Sequence, residues 1–187
     1  MFIVCDRTPE VMPTGLKSTS SPIQVSASIT ETTGGTFSFD QIDLTLNPLD
    51  NEVFVITQVN LDVDVPDLPT GSGDQNFVSA SLSATQRTGV GSIANENVIA
   101  SAQRYVGTTS VAGVPISFMF DREDPNFVAQ DLDYLFIVAT NNMFLNVQSE
   151  GAITTNPKTA RVRVYGYRAT ASASVYAALV QSELLSS

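Results

Sequence analysis

The chain of 187 residues contains no histidine, no tryptophan and a single cysteine, Cys5. Without histidine, the Ser-His-Asp and Cys-His arrangements of nucleophilic catalysis are unavailable. A zinc site would have to be built from carboxylates and one thiol, and one cysteine excludes an internal disulfide framework. Charged residues make up 15% of the chain, below the roughly 25% of an ordinary soluble domain. Ser, Thr, Asn, Gln and Ala take their place, which suits a surface that packs against other protein, since fewer charges need desolvating there. The same composition also occurs in extracellular β-proteins. No apolar run approaches the roughly 20 residues of a transmembrane helix. The opening Met1-Phe2-Ile3-Val4-Cys5-Asp6-Arg7 has neither the basic start nor the cleavage site of a secretory signal. The expectation is a product made in the cytoplasm and kept soluble.

Charge of one sign is also scarce. No Lys or Arg lies between Lys17 and Arg87, whereas Lys158, Arg161, Arg163 and Arg168 gather near the C-terminus, and the net charge is −10. An acidic chain is a poor general binder of phosphate backbones, so nucleic-acid contact is expected to be weak or indirect. Neither a dinucleotide-binding glycine fingerprint nor a phosphate-binding P-loop is present.

What remains is a procession of short segments with period-two alternation and turn residues between them. Residues 1–22, with Pro9, Pro13 and Pro22, read as an extended N-terminal arm. In residues 23–30, Ile23, Val25, Ala27 and Ile29 share one face. Residues 37–46 continue, with a bulge or strand end expected near Asp40-Gln41, and residues 47–51 form a turn. Residues 52–65 are apolar on both sides at first, then have one wet face, so a bend is expected between the halves. Further strands are expected at 76–85, 98–106, 114–120, 132–140, 144–148 and 160–169, with 107–113 as a turn region. Residues 171–187 form a C-terminal tail, a strand end or a short helix. About eight to ten strands in one domain, 23–170, predict an all-β fold: a two-sheet antiparallel sandwich. Its uneven loops favour jelly-roll or Greek-key wiring.

Few groups carry chemistry. Asp62, Asp64, Asp67 and Asp74 lie near a Gly- and Pro-containing loop and form a candidate Ca²⁺ site of oxygen ligands, although the spacing is not that of an EF-hand. The same acids also serve to solubilise an outer strand. Asp62 with Asp64, and Asp121 with Glu123 and Asp124, are the carboxylates a glycoside hydrolase would need, but no tryptophan sugar platform accompanies them. The expectation is a non-enzyme without a required cofactor. Arg161 and Arg163 alternate with Val162 and Val164, and so share a face with Tyr165 and Tyr167. Such a stripe can stack on bases or meet an acidic strand. It is read as a subunit contact, together with Pro9 and Pro13 of the arm.

Three stretches, Phe39-Asp40-Gln41-Ile42-Asp43-Leu44-Thr45-Leu46, Asp133-Tyr134-Leu135-Phe136-Ile137-Val138-Ala139-Thr140-Asn141-Asn142 and Ala160-Arg161-Val162-Arg163-Val164-Tyr165-Gly166-Tyr167-Arg168, together with the arm and tail, give the chain its style. It resembles the single jelly-roll capsid proteins of tailless icosahedral viruses. The resemblance implies a structural subunit that self-assembles into a virion shell, with copies of itself and other virion proteins as partners, made in a host cytoplasm. The chain departs from many such proteins in that its arm is nearly neutral rather than basic, which implies a shell lined by other components or an outer structural protein. The alternative is a carbohydrate- or receptor-binding β-sandwich module, such as a virion decoration or spike protein.

Overall fold

Alternation in the sequence becomes two stacked antiparallel sheets in the computed structural model, which describes residues 15–123, 127–128 and 133–185. Pro9 and Pro13 of the expected arm lie outside the described residues. The strands are β1 (Leu16–Ser18), β2 (Ile23–Thr30), β3 (Ser38–Asp43), β4 (Glu52–Val63), β5 (Gln75–Ser83), β6 (Val98–Val111), β7 (Val114–Glu123), β8 (Phe127–Val128), β9 (Phe136–Val138), β10 (Asn142–Gly151) and β11 (Thr159–Ala171), followed by helix α1 (Ala173–Leu185).

The six-stranded sheet has β11 and β4 at its centre. β1 and β2 run one after the other along the far side of β11, and β8 and β9 along the far side of β4. The five-stranded sheet has the order β3-β10-β5-β6-β7. From β2 to β5 each strand lies in the sheet opposite the one before it, and β9, β10 and β11 repeat the alternation. This is the jelly-roll-like sandwich that the loop pattern favoured.

Between the sheets, Phe54, Ile56, Val59, Leu61 and Val63 of β4 meet Val78, Ala80 and Leu82 of β5 and Met143, Leu145 and Val147 of β10. The expected bend in β4 is a β-bulge. Tyr165 pairs with Gln58 and Gly166 with Ile56, leaving Thr57 as the extra residue, and the Thr57 hydroxyl donates to the Tyr165 carbonyl at 3.2 Å. A bulge shifts the side-chain alternation by one, so Phe54 and Ile56 point inward before it and Val59, Leu61 and Val63 after it. The first half of β4 is two-sided because its outer face is covered too. Val53 and Val55 join Ala169, Ala171 and Ala139 in a second apolar cluster, against which Val175, Tyr176, Leu179 and Val180 of α1 pack. The helix is tied down by Glu183, which is buried. Its carboxyl group accepts from the backbone N–H of Ala139 at 2.8 Å and of Thr140 at 3.0 Å.

Three local expectations change. Residues 98–120 form one long hairpin, with its turn at Ala112-Gly113 rather than across 107–113. Gly107 lies inside β6, beneath a ring: a Cβ there would come within 2.6 Å of the Phe118 ring. The β3 ladder runs unbroken from Ser38 to Asp43, with no bulge at Asp40-Gln41. Of the strand expected over 132–140, the described residues form Phe136–Val138 alone. The tail is helical from Ala173.

Candidate functional site

Alternation along β4 and β11 places their outward acids and bases across one ladder. Arg161 stands opposite Asp62 in the register. Its guanidinium donates to Asp64 at 2.7 Å and lies 3.8 Å from Asp62. Burial raises the Asp64 pKa, but the Arg161 hydrogen bond and the Thr159 N–H outweigh it and hold the carboxyl below its ordinary value. The same contact raises the Arg161 pKa. Asp62 also lies 3.7 Å from Arg104, which donates to Asp121 at 2.8 Å and to the Val63 carbonyl at 2.6 Å.

Asp67 lies apart from this group. It accepts from the Lys158 ammonium at 2.6 Å, the Asn156 side chain at 2.9 Å and the Asn156 backbone N–H at 3.0 Å. Both members of the ion pair are largely covered, with side chains 10% and 11% exposed. Asp74 bonds its own loop, accepting from the Gly71 N–H at 3.0 Å. The four acids of the candidate Ca²⁺ site thus divide, with Asp62 and Asp64 sharing Arg161, Asp67 paired with Lys158 and Asp74 bonded to its own loop. Among the described residues, no group of three or more His, Cys, Asp or Glu side chains is gathered as a cation would require. Of the second acidic cluster, Asp121 pairs with Arg104, and Asp124 lies outside the described residues.

Desolvation raises the Asp67 pKa, yet the Lys158 and Asn156 donors outweigh it and lower it to about 2. A carboxyl depressed in the fold adds stability above its unfolded pKa, and that stability is lost as pH falls through the folded value. The unfolded value is 3.8, so the loss falls between about pH 4 and pH 2. Urea unfolding at intervals across that window is expected to show a steeper decline in the wild type than in Asp67→Asn. Equal slopes would contradict the assignment.

The Arg-Tyr stripe divides in two. Arg161 and Arg163 are exposed at one end of β11, Arg161 bound to the β4 acids and Tyr165 half-buried. Tyr167 is half-buried against the cluster beneath α1.

Two surfaces stand out that sequence reasoning passed over. The first is the β6–β7 hairpin, where Val111, Val114, Ile116, Met119 and Phe120 are exposed. Tyr105, Phe118 and Phe120 form an aromatic row on its outer face, with centroids 5.5 to 6.4 Å apart. The available signal was the absence of any charge from residue 105 to residue 120. The second is a cleft of ≈ 600 Å³ on the five-stranded sheet, between the segment 89–93 and Ser79, Ser101, Gln103, Gln148 and Glu150.

No protein-family model matches the chain, and no curated protein matches it. Among solved structures it is similar to a chain from Desmodium yellow mottle tymovirus, at 13% identity and a TM-score of 0.29, over 88% of this chain and 95% of that one.

Proposed function

We propose that this chain is a structural, non-enzymatic subunit that self-assembles into a virion shell through loop, sheet-edge and arm contacts. The observation that carries the reading is the contrast between a polar complement already engaged within the subunit and apolar side chains left bare at its margins. Asp62, Asp64, Asp67 and Asp121 are engaged by Arg161, Arg104 and Lys158. Meanwhile Leu49, Leu68, Ile93, Leu184 and Leu185, and Val114, Ile116, Met119 and Phe120 of β7, are uncovered. Apolar surface of this kind marks interaction sites, and an engaged set of acids leaves little for catalysis or for Ca²⁺. The step from oligomer to shell is supported by the jelly-roll-like strand order, a fold-level analogy. In this reading, contact with a genome is indirect, because Arg104, Lys158, Arg161 and Arg168 are paired with the protein's own acids.

Electron microscopy of the purified full chain over a range of salt and protein concentration tests this. Closed particles or discrete rings are expected, and dispersed single subunits under all conditions would contradict it. The polar cleft favours a second reading, a carbohydrate- or receptor-binding module. Amides and hydroxyls around one carboxyl group are the donors and acceptors that a neutral glycan uses. Retention on a glycan array, lost on Gln103→Ala with Gln148→Ala, would support that reading instead.

A further inference from the structure

The β6–β7 hairpin turns at Ala112 and Gly113, with φ of 52° and 81°. Two positive φ values mark a two-residue type I′ turn. In such a hairpin the flanking Val111 and Val114 are a hydrogen-bonded pair. Alternation along the ladder then identifies the β7 residues whose backbone groups face away from β6: Pro115, Ser117, Met119 and Asp121, opposite Ser110, Thr108, Val106 and Arg104. Proline falls at one of these outward positions, where β6 needs no donor. Because β7 is the last strand of its sheet among the described residues, these groups form an open ladder there. Both faces of the strand are bare as well, with Phe120 62% exposed on the outer face and Met119 54% exposed on the other. The opposite edge, β3, carries Asp40 and Asp43, which would repel a second copy of itself. The β7 ladder from Ile116 to Phe120 carries no charge.

We propose that β7 pairs antiparallel with β7 of a second copy, about a two-fold axis at Phe118, joining two five-stranded sheets into one. The proposal rests on the self-assembly reading above and specifies one of its contacts. A two-fold contact must be self-complementary, and β7 meets that demand. In this register Ser117 and Met119 of one copy exchange backbone hydrogen bonds with Met119 and Ser117 of the other. On the outer face Ile116 lies beside Phe120, and the two Phe118 rings extend the aromatic row across the axis. Asp121 faces Pro115, whose carbonyl can accept its N–H. The two Asp121 side chains stand six residues apart along the ladder, roughly 20 Å, where salt screens their repulsion. A slip of one residue would set outward-facing groups of one strand against inward-facing groups of the other, which fixes the parity of the register.

Phe118→Cys in a Cys5→Ser background tests the register, because only a residue on the axis meets its own copy. Oxidation at a concentration where the protein associates is expected to link Phe118→Cys into dimers and to leave Val114→Cys unlinked. Hydrogen exchange of the wild type keeps the test independent of any disturbance to the aromatic row. The Ser117 and Met119 amides are expected to exchange about tenfold or more slowly in associated than in dispersed protein. Ser117→Pro, which removes an outward donor and no β6–β7 bond, is expected to abolish the protection at Met119. Equal exchange in the two states, or linkage of Val114→Cys as ready as that of Phe118→Cys, would overturn the pairing. Assembly with unprotected β7 amides would overturn it while leaving the shell reading intact, whereas a chain that never associates would overturn both.

Discussion

Replacing Glu31 with alanine is expected to lower the unfolding free energy by roughly 3–5 kcal/mol. Glu31 is 3% exposed and sits just past the end of β2. Its carboxyl group accepts from the Ser149 backbone N–H at 2.6 Å, the Ser149 hydroxyl at 2.9 Å and the Lys158 backbone N–H at 2.8 Å. One side chain thereby ties β2 to β10 of the opposite sheet and to the residue that enters β11. The Ser149 hydroxyl in turn accepts from the Gly35 N–H at 3.0 Å, so the β2–β3 connection hangs on the same group. Truncation would leave two buried main-chain donors without an acceptor, each costing about 1–3 kcal/mol. Glu31→Gln keeps one acceptor oxygen and is expected to lose about half as much. Urea unfolding followed by circular dichroism measures both variants. A loss below about 1 kcal/mol for Glu31→Ala would show that water replaces the carboxyl group.

Gly166→Ala is expected to cost about 2–4 kcal/mol, also read from urea midpoints. Gly166 lies opposite Ile56 at the β4 bulge. A Cβ there would overlap the Val55 carbonyl oxygen and come within 2.8 Å of the Phe54 ring. Both neighbours belong to the central strand pair, where a fully buried phenylalanine and a ladder carbonyl have nowhere to move. Gly73→Ala is the matched control. Its φ of +89° makes alanine strained, but nothing stands within 4 Å of the added carbon, so about 1 kcal/mol is expected. Equal costs at the two positions would mean that the bulge relaxes around the methyl group.

The parts of the fold that were legible in the sequence are those where one sheet face is buried and the other wet. Ile23, Val25, Ala27 and Ile29 fix β2 by alternation alone, to the residue at which it ends. β4 announced its two halves, but the cause of the two-sided burial was not legible, because it depends on α1, which packs there from more than 100 residues later. Glycine misled at residue 107. A glycine that lets a ring approach and a glycine that turns the chain look alike in a sequence, and only the Phe118 ring across the ladder tells them apart. The aspartates are a different case. Asp62, Asp64, Asp67 and Asp74 are close in sequence, yet their partners are set by strand register and by side chains such as Lys158, 91 residues from Asp67. Glu31 and Glu183 escaped notice because a glutamate is ordinarily exposed, and no local pattern marks the backbone donors that hold it inside.

The central claim, that this sandwich is built to dock with copies of itself, is tested most directly by sedimentation velocity on the purified full chain over a wide range of concentrations at physiological salt. The account predicts discrete species at multiples of 20.0 kDa, growing with concentration and dispersed by Ser117→Pro. A single 20.0 kDa boundary at every concentration would contradict it.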